Sequence, residues 1–321
     1  MKNRNRLSRM RQNPISPVYP QPFWIRRLYK HTQKHRKHLA LLIGAFCVLL
    51  LLWVFAWLNP LENRREVTSL ALLGGLAGFV STTLGAIPAL LIKKLQQRTE
   101  DVMLGAAAGM MLAATSFSLI LPGLEAGINL TGHMVWSATL VVTGMTIGVL
   151  LMLGLEALTP HEHFKLGPCG PGHERYARVW LFVFAIALHN LPEGMAVGFG
   201  FSRGDLTVGI PLTLAISLQN LPEGLAVAMA LRTVGASRWT ALWITAATGL
   251  LEPLGALIGV SLVGGSAFAY PVGLGLAAGA MIFVVSHEVI PETHRNNHQT
   301  PATLGLMGGF ALMLVLDSIL I

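Results

Sequence analysis

Nine apolar stretches, each long enough to cross a bilayer, divide the chain: roughly 38–59, 67–92, 102–122, 133–158, 179–201, 207–231, 239–263, 268–292 and 301–321. Short polar segments with Gly, Pro, Lys, Arg and His separate them. No stretch shows the strict alternation of a half-buried strand, so every one is read as a helix. The first differs from the rest. It is rich in Leu, Trp and Phe, has one glycine (Gly44), and is followed by the charge cluster Glu62, Arg64, Arg65 and Glu66. It reads as an extra N-terminal transmembrane helix at 38–59. The other eight form a core over residues 65–321. The expected fold class is an all-α polytopic membrane protein.

Composition agrees. The chain is 53% hydrophobic and only 12% charged, with 34 glycines among 321 residues. That excludes a soluble domain, and the glycines suit membrane helices that approach closely. The formal charge of +8 misleads if read globally, because residues 1–37 hold 11 of the 23 Lys and Arg and no acid. Beside a membrane span this is a basic, disordered cytoplasmic tail rather than a nucleic-acid arm. With the tail inside, the inner loops carry Lys93, Lys94, Arg98, Lys165, Arg175, Arg178, Arg232, Arg238 and Arg295. The outer loops carry Arg64, Arg65 and Arg203. The N-terminus is then cytoplasmic and the C-terminus extracytoplasmic, in a multi-pass inner-membrane protein. Cys47 and Cys169 form no metal or disulfide pattern.

The chain repeats itself. Leu84-Gly85-Ala86 matches Leu254-Gly255-Ala256, and Ala107-Ala108-Gly109 matches Ala277-Ala278-Gly279, both at an offset of 170. The run from Leu151 to Glu156 matches that from Leu312 to Asp317 at an offset of 161. The nine-residue difference is expected in a longer loop between the second and third core helices. Five helices separate the partners, so the repeats are inverted, the usual architecture of secondary transporters.

The fourth and fifth core helices share a six-residue motif: His189-Asn190-Leu191-Pro192-Glu193-Gly194 and Gln219-Asn220-Leu221-Pro222-Glu223-Gly224. A bare ionisable side chain at mid-membrane costs about 2.5 to 3.5 kcal/mol. Residues four apart share a helix face, so His189 lies above Glu193 and Gln219 above Glu223. Each proline frees a backbone carbonyl and opens space beside the carboxylate. A third acid, Glu252, precedes Pro253 in the sixth core helix. Between residues 179 and 294 the Lys and Arg are Arg203, Arg232 and Arg238, all in predicted loops. The three acids are therefore either protonated or holding metal. One imidazole with carboxylates and amide oxygens suits Zn²⁺, Mn²⁺, Fe²⁺, Co²⁺ or Cd²⁺ rather than Cu⁺. Two ions bridged by Glu193 and Glu223 would use the excess negative charge.

The paired motif resembles the signature of the ZIP (Zrt-/Irt-like protein) family of divalent metal transporters, most of all prokaryotic members with a binuclear centre. The likeness runs over residues 65–321 and includes Gly109-Met110-Met111, Pro160-His161-Glu162-His163, the segment from Leu251 to Gly255 and that from Ser286 to His294. It implies one metal on His189, Glu193, Gln219 and Glu223 with Met111 nearby. It implies a second on Asn190, Glu193, Asn220, Glu223 and Glu252. Some relatives have Asp at the place of Asn220, which makes the second position here less anionic. It further implies zinc as the transported substrate, with Cd²⁺, Fe²⁺, Mn²⁺ or Co²⁺ as further cargo, inward flux and an elevator-like motion.

Secondary candidates flank this centre. Glu156, His161, His163, His287, Glu288 and His298 are an exit path on the cytoplasmic side; Ser118, Glu125 and Asp317 are an entrance on the other. No organic cofactor and no nucleic acid is expected; the partners are divalent ions and the lipid bilayer. A homodimer is compatible with the sequence and not required by it. The alternative is an intramembrane zinc-dependent hydrolase. His287-Glu288 begins like the zinc-protease motif, but Pro291 stands where the second histidine is needed. A carrier of organic substrates would need aromatic or cationic groups near the carboxylates, and none is evident. No phosphate-binding Gly-rich motif suggests ATP-driven transport.

Overall fold

The computed structural model describes residues 64–92, 95–158, 171–263, 267–294 and 296–320. The basic tail 1–37, the stretch 38–59, His161, His163 and both cysteines lie outside them. Among the described residues there is no strand, and eight helices are long and apolar enough to cross a membrane. These spans are α1 Arg65–Leu90, α2 Gln97–Thr131, α3 Met134–Glu156, α4 Val179–Phe201, α5 Leu206–Thr233, α6 Arg238–Val263, α7 Ala269–His294 and α8 Gln299–Ile319. The protein is an all-α, multi-pass membrane protein.

Local chemistry sets several helix ends. The Asp205 side chain accepts from Thr207 N at 2.8 Å and caps α5, and Ser237 accepts from Thr240 N at 3.1 Å and caps α6. The helix α2 stops at Gly132, whose φ of +71° is the left-handed conformation that favours glycine. Two spans contain a wider π turn, Thr115–Ile120 in α2 and Val285–Val289 in α7. The starts of these turns, 115 and 285, differ by the repeat offset of 170.

The packing reproduces the repeat in detail. A Cβ on Gly85 of α1 would strike the Leu221 carbonyl of α5, and one on Gly255 of α6 would strike the Leu191 carbonyl of α4. The converse holds for Gly224 against the Thr82 carbonyl and Gly194 against the Glu252 carbonyl. In the same way α2 meets α8 through Gly109 on Leu306 and Gly309 on Ala106. Its counterpart α7 meets α3 through Gly279 on Met145 and Gly148 on Leu276. These glycine seams let backbones touch where lipid supplies no hydrophobic drive. Positions 85 and 255, 82 and 252, 109 and 279, and 106 and 276 are all related by 170. Positions 306 and 145, and 309 and 148, are related by 161.

One expectation needs correction. The nine extra residues of the first repeat do not form a longer loop. They lengthen helices: past the start of its π turn α2 runs seven residues further than α7, and α3 begins four residues earlier than α8, while the loop between is two residues shorter. The segment Leu121–Thr131 contains Pro122, Gly123, Gly127 and Asn129, loop chemistry by composition, yet it is helical. In hydrocarbon a non-helical backbone would leave its polar groups unpaired, so the helix wins.

Helices α1, α4, α5 and α6 pack on one another; α2 packs with α8 and α3 with α7. The two groups meet where α5 lies against α2 and α4 against α7.

Candidate metal centre

The twin motifs sit inside α4 and α5, each with its proline within the helix. Their polar side chains are buried: His189 is 2% exposed, Glu193 0%, Gln219 0% and Glu223 2%. Gln219 Nε2 donates to Glu193 Oε1 at 2.5 Å, which joins the two motifs directly. Asn220 Nδ2 donates to Glu252 Oε2 at 2.9 Å, which brings in α6. Thr82 Oγ1 of α1 donates to the other oxygen, Glu252 Oε1, at 2.7 Å. The helix α6 breaks at Leu250, so Glu252 lies in the first turn of the segment Leu251–Val263, where the helix dipole favours an anion.

Five buried acceptor oxygens have no hydrogen-bond partner: Glu193 Oε2, Gln219 Oε1, Asn220 Oδ1 and both oxygens of Glu223. Neither His189 ring nitrogen has one either, and nor does Asn190 Nδ2. His189 Nε2 lies 3.1 Å from Glu288 Oε2 without hydrogen-bond geometry. Each buried polar group left unpaired costs about 1 to 3 kcal/mol. A cluster dominated by orphan acceptors, with no Lys or Arg bridged to its carboxylates among the described residues, has the chemistry of a cation receptor. Among the described residues, no three His, Cys, Asp or Glu side chains close on one point as a ready-made metal site. The convergent set is mixed, and the amides of Gln219 and Asn220 are part of it. Met111 is buried among apolar neighbours.

The flanking candidates fall into place unevenly. A cavity of about 580 Å³ is lined by His189, Glu156, His287, Glu288, Glu292 and His294, among apolar residues of α4. Glu156 Oε1 and His287 Nε2 lie 2.8 Å apart, and the His287 ring stacks on Phe283. His298 stands apart from this cavity: its Nδ1 lies 2.7 Å from Asp101 Oδ2 in the first part of α2. At the opposite end Ser118 Oγ donates to Asp317 Oδ1 at 2.7 Å, and both are buried. Asp317 is thus not a water-facing terminus. Glu125 is exposed. Glu156 and Asp317 are repeat equivalents and each has its partner in a π turn, but the partners are one position out of register, since 118 maps onto 288 and not onto 287.

The sequence reading passes over Thr82 and Gly78. The offset of 170 was the available signal, because it maps Glu252 onto Thr82. A Cβ at Gly78 would overlap the Glu252 carboxylate, so this glycine makes the space that the acid occupies.

Inverted repeats, broken helices and a buried, acceptor-rich cluster beside a cavity of about 580 Å³ define a membrane transporter. Comparison with known proteins narrows this. The family profile described as ZIP Zinc transporter matches residues 157–317. The chain is 58% identical over 259 residues to the zinc transporter ZIPB of Bordetella bronchiseptica, covering 81% of this chain and 84% of that one. It is 42% identical over 247 residues to the zinc transporter GufA of Myxococcus xanthus, covering 77% and 97%. It is 37% identical over 262 residues to the zinc transporter ZupT of Corynebacterium efficiens, covering 77% and 94%. The chain belongs to the ZIP family.

Proposed function

We propose that this chain carries divalent transition-metal ions, zinc foremost, across the inner membrane into the cytoplasm. The observation that carries the reading is the buried cluster of orphan acceptor oxygens on α4 and α5, joined through His189 to a cavity that holds Glu156, His287, Glu288, Glu292 and His294. The primary position uses His189, Glu193, Gln219 and Glu223, with Met111 beside it. A second, weaker position draws on Asn190, Asn220 and Glu252 as well as the two shared glutamates. Cd²⁺, Fe²⁺, Mn²⁺ and Co²⁺ fit the same mixed oxygen and nitrogen ligands. Glu156, His287 and Glu288 line the exit, and Ser118 and Asp317 sit on the entrance side. The tail 1–37 is cytoplasmic, 38–59 is an anchor, and 65–321 is the transport core.

The packing supports transport by alternating access. The group α1, α4, α5 and α6 carries every primary ligand and moves as a body against α2, α3, α7 and α8, an elevator-type motion. The main contacts between the groups are α5 on α2 and α4 on α7, with smaller ones of α6 on α7 and α5 on α8, which supports this division.

Uptake of radioactive zinc and cadmium into proteoliposomes containing the full chain tests the reading; no flux above empty vesicles refutes it. Zinc titration of His189→Ala tests the ordering of the two positions. The expected result is a loss of tight binding by on the order of 100-fold, comparable to or beyond loss of an outer-shell partner. Unchanged high-affinity binding would refute that ordering.

A further inference from the structure

Of the three buried glutamates, Glu252 alone has both oxygens hydrogen-bonded. Thr82 Oγ1 donates to Oε1 at 2.7 Å and Asn220 Nδ2 donates to Oε2 at 2.9 Å. A carboxylate only accepts, so the Asn220 amide must turn its N–H₂ toward Glu252. Its Oδ1 then lies away from Glu252 and without a partner. Gly78 provides the recess, because a Cβ there would overlap the Glu252 carboxylate. The first turn of the segment Leu251–Val263 adds its positive end. Four features thus hold one acid in place, with both its oxygens occupied without a metal.

We propose that Thr82, Asn220 and Gly78 form a clamp that holds Glu252 back from the second, weaker position, so that at micromolar free metal the chain binds one metal ion where its three carboxylates could hold two. This rests on the metal centre described above and concerns its stoichiometry. The clamp sets metal number because of what stands at 220. An amide there supplies a donor to Glu252. A carboxylate there would supply none and would repel it, and a second cation would be what relieves the two acids. Thr82 acts as a positioning residue: its hydroxyl bonds Glu252 at 2.7 Å and the Gly78 carbonyl of its own helix at 3.2 Å. Its place is the repeat equivalent of Glu252 itself, so the second half contributes an acid and the first half the hydroxyl that holds it.

Metal content of the purified full chain, by elemental analysis and by calorimetric titration with cadmium, tests this. The expected wild-type value is one equivalent at micromolar free metal. Asn220→Asp is expected to bind two. Because that change adds a buried charge, Thr82→Val supplies an arm that adds none. It strips one donor from Glu252 and should tighten the second equivalent by on the order of tenfold, the scale of one charge-assisted hydrogen bond. Thr82→Ser keeps the hydroxyl and should restore the wild-type value, which a merely packing role for Thr82 would not produce. Two equally tight equivalents in the wild type would overturn the clamp while leaving the metal centre intact. So would a single equivalent, unchanged in affinity, in both Asn220→Asp and Thr82→Val. No bound cadmium in the wild type would overturn the metal centre itself.

Discussion

Replacing Glu193 by alanine is expected to reduce zinc uptake into proteoliposomes to the background of empty vesicles. The loss should exceed the roughly 10- to 100-fold typical of removing an outer-shell partner, because Glu193 sits inside the candidate ligand set. Glu193 is fully buried and shares one oxygen with Gln219, which ties α4 to α5. Alanine removes the charge, the ligand oxygens and that tie together. Glu193→Gln separates the effects, since it keeps shape and loses charge. If charge attracts the ion, the glutamine variant fails as well while remaining folded. Uptake at the wild-type rate in either variant would remove Glu193 from the site.

Gly224→Val is expected to damage both stability and transport. A Cβ at this position would strike the Thr82 backbone carbonyl of α1, and a backbone cannot swing aside as a side-chain tip can. Overpacking of this kind costs about 1 to 3 kcal/mol, and the backbone contact places it at the upper end. For a chain of this size that corresponds to a fall in melting midpoint of roughly 4 to 5 °C. It can be followed by tryptophan fluorescence of the detergent-solubilised protein. The substitution also pushes apart α1 and α5 beside Glu223, so surviving protein should transport poorly. A variant with the wild-type midpoint and wild-type flux would show that the α1 and α5 seam is looser than its geometry implies.

Much of this was legible in the sequence, and the reasons are physical. Apolar runs announce themselves because the bilayer demands about 20 apolar residues per span. Seven of the eight core spans are found within two residues of their expected bounds, and α2 runs nine residues past its expected end. The repeat was legible because glycines at seams cannot drift: 85 with 255 and 109 with 279 each meet a backbone carbonyl. The convergence of the twin motifs followed from that inversion. Other features depend on contacts that no local pattern encodes. The hydroxyl of Thr82 resembles the other threonines that bond back to their own helix, such as Thr83 and Thr143, until α6 is placed beside it. His298 resembles an exit-path histidine until Asp101 is found 2.7 Å away. The π turns carry no compositional mark, and the long α2 was hidden by glycines that elsewhere would signal a loop.

The glycine seams have a consequence for how the chain is made. Each one joins a helix of the first four spans to a helix of the last four: α1 with α5, α2 with α8, α3 with α7 and α4 with α6. Within the first half Gly127 of α2 also comes close to Ser137 of α3, but these four seams all cross between the halves. The two halves therefore stand to each other as the subunits of an obligate dimer, fused into one polypeptide. A ribosome delivers them in order, so α2 is inserted long before α8, the helix that completes its packing, exists. Until then its glycine face must be tolerated by lipid or shielded by the insertion machinery. A truncation that removes α8 alone would strip the first half of its last partner, although every residue of the twin motif would remain.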